Sequence, residues 1–171
     1  MARERGQTRF VGYSGDNASA RYAVDCGRFD VLQTSLSVAD HEALTLTLPA
    51  ARAAGLGVIA KRPIANAAWK EPSQQPGMYK SYARPYTERL EKMDLEPTDL
   101  GLKPQAWLEM ALRFTLSFPE VHTAIIGTTN PKNAEENIRI AEKGPLPPDA
   151  VAKIRAAFKH ADPVGAWPGL T

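Results

Sequence analysis

Apolar and polar positions divide most of the chain into two kinds of segment. Short apolar runs with polar boundaries predict strands, and longer stretches with apolar side chains three or four residues apart predict helices. The predicted strands are residues 9–14, 30–36, 57–61 and 122–126. The predicted helices are residues 17–27, 41–54, 106–118, 131–142 and 148–160. Because strands and helices alternate, the pattern favours parallel βα units and an α/β fold.

Local sequence signals place the ends of the first two helices. Asn17 or Ser19 can cap the first helix, and Gly27 ends it. The second helix contains Pro49, whose ring and missing N–H disrupt a helix interior. We therefore expect the second helix to kink, or to split off its first part, at this proline.

The stretch 62–103 interrupts the alternation of strands and helices. Within this proline-rich stretch, one part has the spacing of a helix, at positions Tyr79, Tyr82, Tyr86, Leu90 and Met93. One interpretation is an amphipathic helix packed against the side of the domain. The other is a lid over a bound ligand, because loops that follow strand C-termini build the active face of βα barrels. We expect a single domain over residues 1–171, with 62–103 as an insertion.

Composition and charge exclude several classes of protein. Hydrophobic residues make up 43% of the chain and charged residues 23%, as in ordinary globular domains. A net charge of +2 with scattered basic residues does not indicate nucleic-acid binding. No apolar run approaches the roughly 18 residues of a membrane span, and the N-terminus lacks the apolar core of a secretory signal. The single cysteine, Cys26, favours a reduced, cytoplasmic setting.

The sequence contains no pattern for a metal site or a nucleophilic active site. His41, His122 and His160 are far apart, and none has a ligand partner at helical spacing. The chain lacks a G-x-S-x-G motif, and Cys26 sits near a helix end, where the helix dipole disfavours a thiolate. His122 opens a predicted strand, at the end away from an active face, so we predict a structural role for it. We predict no catalytic residue and no metal ligand.

The turn after the fourth predicted strand is the most informative local feature. It reads Gly127-Thr128-Thr129-Asn130-Pro131 and opens a helix. A helix N-terminus offers free N–H groups and partial positive charge, so the turn is a candidate anion site. The alternative is an ordinary helix start, with Asn130 as the N-cap and Pro131 as the first helical residue.

Four segments in order resemble one known family. They are RFVGYS at 9–14, FDVLQTS at 29–35, GLGVIAKRPI at 55–64, and AWLEMALRFTLSFPEVHTAIIGTTNPKNAEEN at 106–137. Together they are similar to strands five to eight of the aldo/keto reductases, which are NADPH-dependent (β/α)8 barrels. Gly144-Pro145-Leu146, followed by a helix, also fits this family.

The resemblance covers the second half of such a barrel only. A complete barrel takes roughly 250 residues, whereas this chain has 171. The catalytic Asp, Tyr, Lys and His of the family lie on the first four strands, and nothing before Arg9 can supply them. The resemblance therefore implies half of a TIM-type barrel, with four parallel βα units, the insertion and a C-terminal helix.

Strand ends would hold the nicotinamide side of the cofactor. By resemblance, Ser14 and Gln33 hydrogen-bond the nicotinamide carboxamide. Lys61 and Arg62 are cations at the next strand end, and their charge would suit phosphate. Two departures weaken this end of the site. Gly15 stands where the family commonly has asparagine, and Lys61 replaces the aromatic residue that stacks on the nicotinamide ring.

The last βα unit would hold the adenosine side. By resemblance, Gly127 and Thr128 meet the adenosine 2′-phosphate through backbone and hydroxyl donors. Lys132 adds a charge-assisted bond to that phosphate. Glu136 and Asn137 face the adenine.

A further departure lies in the same turn, where Asn133 replaces the usual arginine near the 2′-phosphate. The resemblance implies NADP(H) as the cofactor, and these replacements lead us to expect that it binds weakly.

A half-barrel needs a partner, because four parallel strands leave two open edges and an exposed apolar face. The partner would be a second copy of this chain, as a homodimer or higher oligomer, or a separate N-terminal half-barrel. The first hypothesis is the cofactor-side half of an NADP(H)-dependent carbonyl reductase, inactive alone. The second is a non-enzymatic, self-associating domain with residual or no nucleotide binding. A third, an unrelated activity on the 62–103 loop, has no residue that specifies it.

Overall fold

The computed structural model of the protein describes residues 2–71, 73 and 80–170. Its centre is a sheet of four parallel strands, in the order β1-β2-β3-β4. The strands are β1 Gly12–Ser14, β2 Val31–Ser35, β3 Gly57–Lys61 and β4 Thr123–Ile125. All four lie within the predicted strand segments, and the predicted α/β class with parallel strands is confirmed.

Helices connect consecutive strands. Helix α1 covers Asn17–Asp25, and the second predicted helix is divided into α2 Glu42–Leu46 and α3 Leu48–Ala53. The division falls at Thr47, and Pro49 lies in the first turn of α3, where its missing N–H is tolerated. The predicted effect of this proline is confirmed.

Among its described residues, the 62–103 stretch contains one long helix and short 3-10 turns. The 3-10 turns are Ala65–Ala67 and Pro97–Leu100, and α4 spans Lys80–Met93. Tyr79, predicted as the first position of this helix, lies outside the described residues. The apolar side of α4 is buried in the core, through Ala83, Tyr86, Leu90 and Met93. This packing supports the interpretation of a helix laid against the domain.

The last third of the chain supplies the remaining elements. They are α5 Trp107–Thr115, β4, α6 Pro131–Ala141 and α7 Pro148–Ala161. His122 precedes β4 and extends its pairing with β3. Its backbone N–H donates to the Val58 carbonyl and its Nδ1 accepts from the Val58 N–H, each at 3.0 Å. This geometry supports the structural role predicted for His122.

Two apolar clusters hold the elements together. One cluster packs α1, α2 and α3 against the side of the sheet that carries Leu32, Val58 and Ala60. The other joins α4, α5 and α7 around Phe114 and Ile154, both fully buried. The first cluster therefore holds α1, α2 and α3 on one face of the sheet. The second holds α4 of the insertion and α7 against α5 at the side of the domain.

The other side of the sheet is more open to solvent. Ser14, Gln33, Ile59 and Thr123 are register partners in one row across this open face. Ser14 and Thr123 are exposed, and Gln33 and Ile59 are half-buried. In the next row Ile125 is 42% exposed. Within the described ranges β1 and β4 form the edges of the sheet, so both an apolar face and strand edges are available for pairing.

Candidate functional site

One buried carboxylate connects the C-terminal ends of the first three strands. Asp16 follows β1 and is 4% exposed. Its Oδ1 accepts a hydrogen bond from the Ser35 N–H at 2.6 Å and another from the Thr34 hydroxyl at 2.9 Å. Its Oδ2 lies 2.7 Å from the ammonium group of Lys61 at the end of β3. A buried carboxylate needs such donors, since an unpaired buried charge is strongly destabilising.

The ion pair changes the role expected for Lys61. Its side chain is 17% exposed, and its charge faces a buried carboxylate. Lys61 is therefore already compensated, and a phosphate that met it would compete with Asp16. The sequence favours phosphate as the partner of Lys61 because the lysine is a cation at a strand end, and it gives no local signal of the contact with Asp16, 45 positions earlier.

Ser14 and Gln33 lie side by side, as their predicted common role requires. They are register partners on β1 and β2, and the Gln33 amide N–H donates to the Ser14 hydroxyl at 2.9 Å. This pair stands on the open face at the C-terminal end of the strands. An amide and a hydroxyl together offer both donors and acceptors, which is the chemistry that a carboxamide ligand needs.

Arg62 binds a backbone carbonyl. Its Nη1 donates to the Leu170 carbonyl at 2.6 Å and to the Ser35 hydroxyl at 3.3 Å. In the part of the chain that the structure describes, the ion pairs do not include Arg62. A guanidinium group prefers a carboxylate or a phosphate to a neutral carbonyl, so Arg62 is the cation best suited to an anionic ligand at this end of the sheet.

The turn before α6 follows the strand that pairs with β3. Lys61 and Ile125 are register partners, so the residues that follow β3 and β4 emerge next to each other. Thr128, Lys132 and the rest of the turn from 127 to 133 are exposed. The predicted cofactor residues on β3 and after β4 are thus at the same edge of the sheet.

The start of α6 has fewer free donors than the sequence predicted. Asn130 caps the helix, and its Oδ1 accepts from the Lys132 N–H at 3.1 Å. The N–H groups of Asn133 and Ala134 bond to the Asn130 carbonyl, and Pro131 has no N–H. The capping alternative is therefore present in the structure. An anion bound here would contact the hydroxyl of Thr128 and the ammonium group of Lys132. To reach the backbone N–H of Lys132, it would have to displace Oδ1 of Asn130.

The remaining predicted adenosine contacts lie on the first turns of α6. Glu136 and Asn137 are both partly buried. Glu136 forms an ion pair with Arg139, one turn further along the helix. The carboxylate of Glu136 therefore already has a cationic partner. At Gly127, a Cβ atom would meet no atom within 4 Å, so the space beside this residue is open.

Several residues at this end of the sheet were not predicted from sequence. They are Asp16, Asn17, Ser35, Asp40 and Arg89. Asp16 had a usable signal, because a polar residue directly after a predicted strand lies at the ligand-binding end of a parallel sheet. Arg89 had none, because it lies on α4 within the insertion and reaches the site only through the tertiary fold.

Two neighbouring groups in this region have strongly shifted pKa values. Asp40 is 1% exposed, and burial raises the pKa of its carboxyl group to about 7, although the Leu170 N–H and Arg89 oppose the shift. His41 stacks between Phe114 and Phe158, with ring centroids 5.0 and 3.9 Å away. Burial, assisted by Arg155, lowers the pKa of His41 to about 3.

These two shifts have opposite effects on stability. The folded state binds the Asp40 proton more tightly than the unfolded state, so its contribution is full below 3.8 and is lost as pH rises to about 7. The folded state binds the His41 proton less tightly, so its contribution is full above 6.5 and is lost as pH falls to about 3. Between about pH 4 and 6.5 the free energy of unfolding falls with pH because of Asp40 and rises with pH because of His41, so the two slopes largely cancel.

One groove lies away from the predicted cofactor residues. It has a volume of about 710 Å³ and lies between α2, α7 and residues 165–168. Its walls include His41, Arg155 and Trp167. Among the described residues, no group of three or more His, Cys, Asp or Glu side chains is placed to hold a metal ion. Within the same ranges, no helix is long and apolar enough to span a membrane.

Comparison with known proteins gives matches at the levels of family and fold. A model described as the aldo/keto reductase family matches residues 2–159. The apo form of aldo-keto reductase AKR11C1 from Bacillus halodurans superposes with a TM-score of 0.71 at 18% identity, over 93% of this chain and 54% of that chain. Its holo form gives 0.70 at 19% identity, over 93% and 53%. No curated protein sequence matches significantly. The chain thus spans about half the length of these structures.

We predict that Asp40→Asn exposes the pH dependence that His41 alone produces. The free energy of unfolding of this variant should rise with pH between about 4 and 6.5, more steeply than in the wild type by up to about 1.4 kcal/mol per pH unit. Urea unfolding at a series of pH values measures the slope, with the exposed Asp149→Asn as the matched control. Equal slopes for Asp40→Asn and the wild type would show that Asp40 is ionised throughout this range.

Proposed function

Because this chain belongs to the aldo/keto reductase family, we propose that it is the cofactor-side half of an NADP(H)-dependent carbonyl reductase. The observation that carries the proposal is the extent of the match. The family model matches residues 2–159, yet the chain covers 54% of the length of a solved family structure. A reductase would then be completed by a segment equivalent to the remaining half.

The side chains at the C-terminal ends of the strands fit parts of a nicotinamide dinucleotide. When bound, the nicotinamide supplies a hydride to a carbonyl carbon. The pair Ser14 and Gln33 binds the carboxamide, which orients the ring. Arg62 balances the charge of the bridging phosphates, while Lys61 stays with Asp16 and fixes the strand ends.

The adenosine end would be held at the turn before α6. Thr128 and Lys132 bind the 2′-phosphate, and Asn137 contacts the adenine. Asn130 already occupies the N–H of Lys132, so ligand binding at this turn replaces an existing cap. That replacement is a further reason to expect weak affinity for NADP(H) in this chain alone.

The proton donor would come from outside the chain. Carbonyl reduction needs a general acid held close to the carbonyl oxygen. The partner would be an N-terminal half-barrel, on a longer version of the same protein or on a separate chain, which pairs with the edges of β1 and β4 and covers the open face. In the absence of that segment, a second copy of this chain would cover the same face.

We predict that NADP(H) binds more tightly than NAD(H), because the turn combines hydroxyls and an ammonium group that suit a dianionic phosphate. The exposed Lys132→Ala should weaken NADPH binding about two- to fivefold, the scale of a solvated ion contact. Higher salt should reduce the difference between the two nucleotides. Calorimetric titration of both nucleotides measures these affinities.

The matched control for this titration is Lys143→Ala. It removes the same charge from the far end of the segment that contains α6, where Lys143 pairs with Glu109. Equal affinities for the two nucleotides, or equal effects of the two substitutions, would show that the turn is only a helix cap. No binding at all would favour the non-enzymatic alternative, a self-associating domain.

We predict no carbonyl reductase turnover above background for the purified chain, since the proposal assigns the proton donor to another segment. NADPH oxidation with a generic aldehyde, followed at 340 nm (the nicotinamide absorbance), measures it. Robust turnover by homogeneous protein would overturn the proposal. Tyr-to-Phe substitution at Tyr13, Tyr79, Tyr82 and Tyr86 would then locate the donor.

We predict that the isolated chain self-associates through its open face. Ile125→Lys should raise the dissociation constant at least about tenfold, because it places a charge in an apolar contact. Ile138→Lys is the control, since Ile138 is 61% exposed but lies on the outer helix α6. Sedimentation velocity measures both. A single 18.6 kDa species for the wild type at micromolar concentration would contradict this prediction.

A further inference from the structure

Residues 162–170, here called the strap, cross the C-terminal ends of β1, β2 and β3. Asp162 follows α7 and turns the chain back. Its two carboxylate oxygens accept the N–H groups of Ala166 and Trp167, each at 2.8 Å. The residues between, from 163 to 166, are exposed. The strap is therefore fixed at its start by Asp162, and its middle is in contact with solvent.

The far end of the strap forms hydrogen bonds through its backbone. Asn17 binds Gly169 twice, accepting its N–H at 2.8 Å and donating to its carbonyl at 3.0 Å. Asp40 accepts the Leu170 N–H at 2.8 Å. The Leu170 carbonyl accepts from the Ser35 hydroxyl at 2.9 Å and from Arg62 at 2.6 Å. These side chains follow or end β1, β2 and β3.

Arg89 holds the centre of the strap. It is 5% exposed, and its guanidinium group donates to the Pro168 carbonyl at 2.7 Å and to the Ala39 carbonyl at 3.0 Å. The same group lies 5.0 Å from the centre of the Trp167 ring. A cation–π contact of this kind is an attraction between the guanidinium charge and the face of the indole ring. The strap is thus held at three places. Its own Asp162 fixes its start, Arg89 binds its centre, and side chains at the strand ends bind its far end.

The strap occupies the donors that an anionic ligand would use. Arg62 and Ser35 both point at the Leu170 carbonyl, which is neutral. A phosphate oxygen carries more charge and makes a stronger hydrogen bond with a guanidinium group. Bound nucleotide and bound strap therefore compete for the same two side chains.

The backbone next to Arg62 is strained. Arg62, Ala65, Asn66 and Ala67 have φ values of 56°, 45°, 54° and 53°. The left-handed region is unfavourable for residues with a Cβ atom, least so for asparagine, and such strain concentrates at ligand clamps and switches. The strap contacts the first residue of this strained segment through the Arg62 side chain.

From these contacts we propose that the strap is an intramolecular blocker of the phosphate-binding end of the site. Nucleotide binding requires Leu170 to leave Arg62 and Ser35, and strap release in turn raises nucleotide affinity. This inference rests on the proposed function for the identity of the ligand. The blocker itself is defined by the contacts of Arg62, Ser35 and Leu170.

Gly169→Val is the variant that tests this proposal. A Cβ atom at position 169 would lie 2.5 Å from Oε2 of Glu42, 3.2 Å from Oδ1 of Asn17 and 3.4 Å from Cβ of Asp16. The Glu42 carboxylate can rotate away, but the larger valine still crowds Asn17, which binds Gly169 on both sides of the residue. We therefore expect Gly169→Val to weaken the docking of the strap without removing any group from the site. Val164→Ala is the control, since Val164 is in the strap and 84% exposed. Trp167→Ala, which removes the ring under Arg89, is a second releasing variant in case Gly169→Val does not fold.

The experiment measures the affinity for NADPH and for inorganic pyrophosphate, together with amide hydrogen exchange at residues 169 and 170. If the strap is bound nine-tenths of the time, its release raises affinity about tenfold. We expect that gain in Gly169→Val or Trp167→Ala but not in Val164→Ala. We also expect the ligand to accelerate exchange at Gly169 and Leu170 in the wild type.

Two outcomes would overturn the proposal, and they are distinguishable. If wild type and releasing variants bind NADPH equally and the strap amides stay protected in the complex, the strap is no blocker, but the proposed function stands. If exchange shows an open strap and neither NADPH nor pyrophosphate binds, Arg62 is not a phosphate site, and both proposals fail.

Discussion

The carboxylate of Asp16 determines the arrangement of the C-terminal end of the sheet. It accepts two donors from β2 and pairs with Lys61 of β3, while its own backbone follows β1. Because this buried carboxylate takes its hydrogen-bond donors from β2 and its cation from β3, the ends of the three strands are held in a fixed relation. Replacing Lys61 would leave the carboxylate buried and unpaired, an arrangement that costs several kcal/mol.

This ion pair gives two adjacent cations different roles. The charge of Lys61 is compensated by Asp16, so Arg62 is the cation that can bind an anion. The strap then adds a second constraint, because its carbonyl at Leu170 accepts a hydrogen bond from the Arg62 guanidinium group. If the strap blocks this site as proposed, ligand binds only when the strap is displaced. Such a block would add a physical cause of weak nucleotide affinity to the residue replacements at Gly15, Lys61 and Asn133.

Sequence reasoning worked where the physical signal is local. The apolar pattern located all four strands, and Pro49 marked the break between α2 and α3. The predicted cap of α1 was wrong, because the N-cap position is Asp16 and not Asn17 or Ser19. Sequence reasoning also failed where contacts join distant positions. Asn17 and Gly169, for example, are separated by 152 residues yet bond to each other twice. At α6 the sequence predicted both Asn130 as a cap and free N–H donors, and these compete, because the cap uses the donor of Lys132.

We propose that the C-terminal ends of these strands form the cofactor side of a reductase site. A map of backbone amide chemical shifts by NMR during titration with NADPH tests this proposal. We expect the shifts to concentrate at Arg62, at residues 127–132, and in the strap at Gly169 and Leu170. Shifts confined to the groove between α2 and α7, or none at saturating nucleotide, would contradict it.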